Sequence, residues 1–474
     1  MHARRVIVLA AVLCVQHSEG FYAHGMKSRL ASRPAIHRFA VRLSDAAQSP
    51  DADAAQSPDA DGTAPAAPKP PLRLDATTKL QLGTLLFCGM LTTMAVGMVT
   101  PLLPAYAERI GLSSRGVGWI IAMPSIARVV LNLPMGPLVD RGRRIPLIAG
   151  CVLEGIGALG TALASSLSTM LPARLLVGMG SSAATTASQA YTMDVVDKYP
   201  DHRGVLLGSM QAAYTLAWAA GPAVGGLVAV RSGSAALPFF LIGGTLLLSA
   251  PLYALLLPET RGTPVGDASE ERDDSVGSVL RTFSQLASRR EQRALLAMRF
   301  GLITGWSAWL TVLPLQAAAS WGATAADLGT MFSVIALLGF VSAPIGGWLA
   351  DRWGRLPVIL SGATVSALAI GALPWALSKQ AFYALMAVWD IGEAMLIAAA
   401  TALAADVTSA ELRGTQTSML NQMQDLTFSI MPVALGGLAA ARGNALALRT
   451  ASACMLVSCA AFGLWAEEQA GPAL

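Results

Sequence analysis

Asp390, Glu393 and Asp425 are carboxylates set within long apolar stretches, and Arg128, Glu154 and Arg174 are charges in the same kind of surroundings. Ionisable side chains in hydrocarbon are costly, so by default they mark the path of an ion or a polar solute. Asp390 and Glu393 stand three residues apart, on one face of a helix. Counting from Asp406 at about 1.5 Å per residue puts Glu393 about 20 Å deep, and counting from Arg413 puts Asp425 about 18 Å deep. Acids at matched depth suit a shared site. A carboxylate that leaves water, or meets another, keeps its proton more readily, which fits such a site to load and release protons. The plainer reading has these acids neutralised by arginine or hydrogen-bonded to Asn421, Gln422 and Gln424.

Arg128 and Glu154 lie about ten residues either side of a short loop, so a helical hairpin brings them to one level. A fixed ion pair would let both sit in lipid; a proton relay or anion recognition are the alternatives. Arg174 either faces a cavity or snorkels, and Arg299, near a span end, is expected to snorkel. The stretch "SSAATTASQAYTMD" offers a Ser/Thr stripe around Gln189 and Tyr191, either cavity lining or small-residue packing. Trp306, Trp309 and Trp389 are placed to meet an aromatic or amphiphilic solute, whereas Trp119, Trp321 and Trp465 read as interfacial anchors.

The elements that must hold these groups are membrane helices. The 474 residues are 54% hydrophobic and 13% charged, with mean hydropathy +0.54, which excludes a water-soluble surface. A bilayer core of roughly 30 Å needs about 20 apolar residues per helix. Runs of that length fall near 80–104, 116–138, 146–167, 170–193, 204–229 and 236–257, then near 294–317, 326–350, 356–376, 381–404, 415–440 and 445–466. Between the sets lies a polar stretch with one surface helix around 276–287. Arginine and lysine crowd the loops after even-numbered spans, which by the positive-inside rule puts both ends on the cytosolic or stromal side. The net charge of +4 is too small and scattered to suggest nucleic acid.

Residues 1–23 have the basic, apolar and polar regions of a signal peptide, and 24–78 read as a transit-like, disordered linker containing a tandem "AAQSPDAD". The pattern resembles two-part presequences of algae with complex plastids, so a plastid envelope is one expected address and a plasma membrane or endomembrane the other. The remaining divisions are 79–258 and 293–466 as six-helix bundles, 259–292 as the central loop and 467–474 as a tail. The cysteines show no CxxC pair and read as packing residues, with no metal or cofactor implied. Neither a Walker A sequence nor HExxH is present, so no enzymatic activity is expected.

The halves repeat. "GPLVDRGRRIPLIAG" at 136–150 has a twin in "GGWLADRWGRLPVILSG" at 346–362, and Asp140 and Asp351 are 211 positions apart. Arg203-Gly204 and Arg413-Gly414 each precede a proline, Pro222 and Pro432, by 19 residues. Two homologous six-helix bundles explain this. The chain resembles the major facilitator superfamily over about 80–465. Its loop signature is complete in Gly347, Leu349, Asp351, Arg352, Gly354 and Arg355; Gly136, Leu138, Asp140 and Arg141 match in the first copy, which is one residue short before Gly142 and Arg143. On physical grounds the loop acid is expected to sit at a helix N-terminus, where the macrodipole favours negative charge, and to pair with arginines across the junction between halves; the resemblance implies loops that stabilise one conformation of a rocking cycle. Arg174, Gly178 and Gly180 match a span 4 pattern, and Gly221, Pro222, Gly225 and Gly226 an antiporter-associated span 5 pattern, which suits a hinge or tight seal.

The expected fold is therefore an all-α membrane protein of twelve helices in two pseudo-symmetric halves. The expected function is alternating-access transport of a small organic solute, exchanged for protons, by a monomer in the bilayer. Proton symport or uniport of an anionic metabolite is the second reading, and a non-transporting sensor or assembly protein the third. Asp390, Glu393 and Asp425 are the proton-coupling candidates; Arg128, Glu154, Arg174, Gln189, Tyr191, Trp306 and Asn421 the cavity candidates.

Overall fold

The computed structural model describes residues 74–100, 102–199, 202–260, 276–409 and 412–469, all within a unit spanning 71–474. The signal, transit and most of the linker assignments fall outside them. Helix α1 (Ala76–Val99) and the short α2 (Leu103–Arg109) make the first span. Then come α3 (Ser114–Arg141), α4 (Arg144–Leu163), α5 (Leu167–Val196), α6 (Arg203–Ser232) and α7 (Leu237–Leu256). The surface helix is α8 (Val276–Ser288). The second half holds α9 (Arg290–Thr311) and α10 (Leu313–Trp321), bent by 45° where Pro314 follows the break, then α11 (Ala325–Trp353), α12 (Arg355–Ala372), α13 (Lys379–Asp406), α14 (Arg413–Arg442) and α15 (Asn444–Gln469).

Among the described residues, nine helices are long and apolar enough to cross a bilayer, and the α9–α10 pair makes a tenth. Helices α5 and α14, 30 residues each, complete the twelve. They fall short of that apolarity because one face of each carries the Ser, Thr, Asn, Gln and Asp of a wide polar cavity. Mean hydropathy penalises the helices that do the most polar work.

The duplication is carried down to single hydrogen bonds. Ser113 and Thr324 cap α3 and α11, and Ser166 and Ser378 cap α5 and α13, each side chain accepting a free N–H of the first turn. Small residues close the interior of each half. A Cβ on Gly180 would lie 2.6 Å from the Gly150 carbonyl, and one on Gly392 would lie 2.8 Å from the Gly362 carbonyl, so α5 on α4 and α13 on α12 pack backbone to backbone.

Candidate functional site

Two seams join the halves, and the same residue types build both. Gly118 of α3 lies against the Pro432 backbone of α14, and Gly436 against Ser114 and Gly118. In the other seam Gly329 of α11 lies against the Pro222 backbone of α6, and Gly226 against Ala325 and Ala326. Ala223, next to the proline, donates its N–H to Ser333 Oγ at 2.8 Å. Proline removes one helical N–H, and glycine opposite leaves room for backbone to meet backbone. Gly221 and Gly225 press instead on α1 at Met94–Met98. Both seams sit away from the basic loops. On the basic-loop side the halves are separated by a vestibule of about 670 Å³, lined among others by Gly136, Gln189, Asn421 and Asp425. The protein is thus closed on one side and open on the other.

Between the seams lies a central cavity of about 260 Å³. Its wall is mostly apolar, with Trp218, Phe239, Trp306, Trp309 and Phe428, and it brings Arg128, Glu154 and Arg174 together. Arg128 does not take Glu154 as its partner. Its Nε pairs across the seam with Asp425 at 2.8 Å, its Nη2 donates to Ser125, and Asn132 Nδ2 donates to the other Asp425 oxygen at 2.9 Å. Gln422 Nε2 donates to the Val129 carbonyl across the same seam. Glu154 is buried within electrostatic reach of Arg128 and Arg174 but is in no ion pair among the described residues. Arg174 faces the cavity and donates its Nε to the Ile120 carbonyl at 3.0 Å.

The three acids expected to share a site have three separate neighbours. Asp425 belongs to the seam. Glu393 accepts a hydrogen bond from Trp306 Nε1. Asp390 turns toward Gly339 of α11, where its Oδ2 is buried and takes no hydrogen bond among the described residues. Matched depth is not matched azimuth; helix rotation sent each acid elsewhere. Tyr191 is fully buried, accepting from Gln81 and donating to the Pro258 carbonyl, and lines neither the vestibule nor the central cavity. Two positions from Gln189, it points to the far side of α5. Arg299 does not snorkel: its Nη2 donates to Gln424 at 2.6 Å inside the bundle. Trp309 stacks on Phe332 and Trp389 with ring centroids 4.3 and 5.5 Å away, so Trp389 is core and not lining. Asn132, whose amide bridges Asp425 and Ser182, had no sequence signal beyond being polar in an apolar run.

The sequence model described as Major Facilitator Superfamily matches residues 85–432 and 295–471. The chain belongs to that superfamily. An uncharacterized MFS-type transporter of Methanocaldococcus jannaschii is 23% identical over 352 residues, covering 73% of this chain and 88% of that protein. Multidrug resistance protein 1 of Bacillus subtilis is 25% identical over 264 residues, covering 55% of this chain and 64% of that one. Among solved structures, a bacterial homolog of the human lysosomal transporter Spinster, inward-facing and occupied, superposes with TM-score 0.71 at 15% identity over 83% of this chain and 98% of that one. The nucleoside transporter NupG (D323A mutant) gives 0.64 at 12% over 82% and 99%. This is a multi-pass membrane transport protein, not an enzyme.

The superfamily's loop signature shows how the first copy tolerates its missing residue. Arg355 pairs with Asp351 and, at 3.2 Å, with Asp406. Arg143 does the same with Asp140 at 2.6 Å and Asp194 at 3.1 Å. Gly354 turns with φ 90, a left-handed conformation that glycine adopts freely, whereas Gly142 is extended at φ 179 and spans the gap with one residue fewer. Both triads lie within one half, and Asp140 and Asp351 sit in last helical turns, which corrects the expectation of a helix N-terminus and of pairing across the junction. The vestibule separates the halves here, so each arginine reaches only its own helices. Arg141 and Arg352 are exposed and take no part in the triads. The α4 N-terminus is met instead by Glu259, whose two oxygens accept Arg143 N at 2.9 Å and Arg144 N at 3.1 Å.

Proposed function

We propose that the chain is a secondary transporter that exchanges a small organic solute for protons by rocking its halves, with Arg128 as the moving contact. The observation that carries this reading is that Arg128 has two carboxylates within reach, Asp425 across the seam and Glu154 in its own half, and is bonded to only one. Opening the sealed side must pull α3 from α14 and release Asp425. Arg128 is then free to neutralise Glu154, and a proton goes to whichever acid lacks the arginine. The Pro–Gly seams let the halves part without disturbing either half's interior.

The test is transport in proteoliposomes under an imposed pH gradient, with ethidium and benzoate as probe solutes. Asp425→Asn and Glu154→Gln are each expected to lose accumulation against a gradient while keeping downhill flux. Full proton-driven accumulation in both variants would remove the proposal. A second reading, proton symport with an organic anion, draws support from Arg174, whose only described partner is a backbone carbonyl. Alkalinisation of the vesicle exterior during uptake would favour it. The presequence reading favours the plastid envelope of an alga over a plasma membrane or endomembrane, which a tag on the intact chain would test.

A further inference from the structure

We infer that a second cavity, of about 270 Å³ and bounded by α9, α13 and α14 inside the C-terminal half, is a binding site for an anionic group, a carboxylate or a phosphate. Only two charged residues line it, Arg299 and Arg413, and both are cations. Neither is in an ion pair among the described residues. Arg299 gives its Nη2 to the neutral Gln424, and its Nε is buried with no acceptor. Arg413 gives its Nη2 to the Ala405 carbonyl at 3.1 Å and is otherwise exposed. A charged donor buried without an acceptor is costly, and an incoming anion would supply one. Asp425 and Glu393 lie within electrostatic reach of Arg299, but the first is held by Arg128 and the second by Trp306.

Four of the matching positions in the other half are packed. At the offset of about 211 positions, Arg299, Leu396, Gln416 and Leu420 correspond to Cys88, Ala184, Leu206 and Met210. Those four belong to one buried apolar cluster with Tyr253. Duplication began with two equivalent places; Arg413 has a counterpart in Arg203, but where one half packs the apolar Cys88 into core, the other sets Arg299 beside a cavity. Asn421 lines both this cavity and the vestibule, so the site is reached from the open, basic-loop side.

The site rests on the transport reading only for its access route. The test titrates purified full-length protein with sodium phosphate and with sodium benzoate, against chloride at equal ionic strength, and follows the thermal midpoint. At least one of the two anions should raise it. Arg299→Gln should weaken the apparent affinity about tenfold or more, and Arg299→Lys less. Ala400→Leu, which fills the hollow and leaves both arginines in place, should abolish the shift. Glu154→Gln should keep it, so a failure of proton coupling is separable from a failure of this site. Uptake of the stabilising anion by proteoliposomes would identify it with the solute, and stabilisation without uptake would identify a resident anion of the basic-loop side; either supports the site. Absence of any shift with both anions, or wild-type affinity in Arg299→Gln, overturns it.

Discussion

Arg128→Gln should shift the protein toward the state that is open on the far side from the basic loops. The ion pair it removes exists only while α3 and α14 touch. At 2.8 Å the gross Coulomb attraction is about 6 kcal/mol for an effective dielectric constant of about 20, and desolvation of the two ions takes back most of it. A net worth of about 1–2 kcal/mol corresponds to a roughly 5- to 30-fold change in the ratio of the two states. The partners are unequally exposed, Arg128 at 28% and Asp425 at 7%. Arg128→Gln therefore strands a buried carboxylate with Asn132 alone, while Asp425→Asn leaves an arginine that water partly reaches. The first should shift the ratio more than the second, and the double variant less than the sum of the two. Ser333, buried in the other seam, is the reporter: in a background without native cysteines, Ser333→Cys is alkylated by an impermeant reagent only when the sealed side opens. The alkylation rate should rise by the stated factor. An unchanged rate, or strict additivity in the double variant, would refute the reasoning.

Gly329→Ala puts a methyl against the Pro222 backbone, and Gly118→Ala does so against Pro432; overpacking of about 1–3 kcal/mol should raise the same alkylation rate in either variant. Gly180→Ala is interior to one half and should lower thermal stability in detergent by a similar amount without altering that rate. Arg143→Gln, whose side chain is 7% exposed, should destabilise more than Arg355→Gln at 28%, for which an exposed pair is worth under about 1 kcal/mol; thermal midpoints of the two variants decide this.

Twelve helices, two related halves and the charge-bearing loops were legible in the residues, because the bilayer demands long apolar segments and duplication leaves a fixed offset in glycines, prolines and caps. The residues also marked Arg128, Glu154, Arg174, Asp390, Glu393 and Asp425 as charges that need a partner or a role, since ionisable groups are costly in hydrocarbon. It did not say who faces whom. Arg128 and Glu154 share a hairpin level, yet the arginine crosses to Asp425, some 300 positions away, because the seam between halves and not the hairpin sets its rotation. Glu393 and Asp425 share a depth, and Asp390 a helical face with Glu393, yet Asp390, Glu393 and Asp425 point to α11, α9 and α3, because depth follows from counting residues whereas direction follows from how helices pack against one another. The same difference separates Gln189 from Tyr191 and hides Arg299 in the bundle. Spacing along one helix fixes height and face relative to its own axis; which neighbour that face meets is decided only when the other eleven helices are in place.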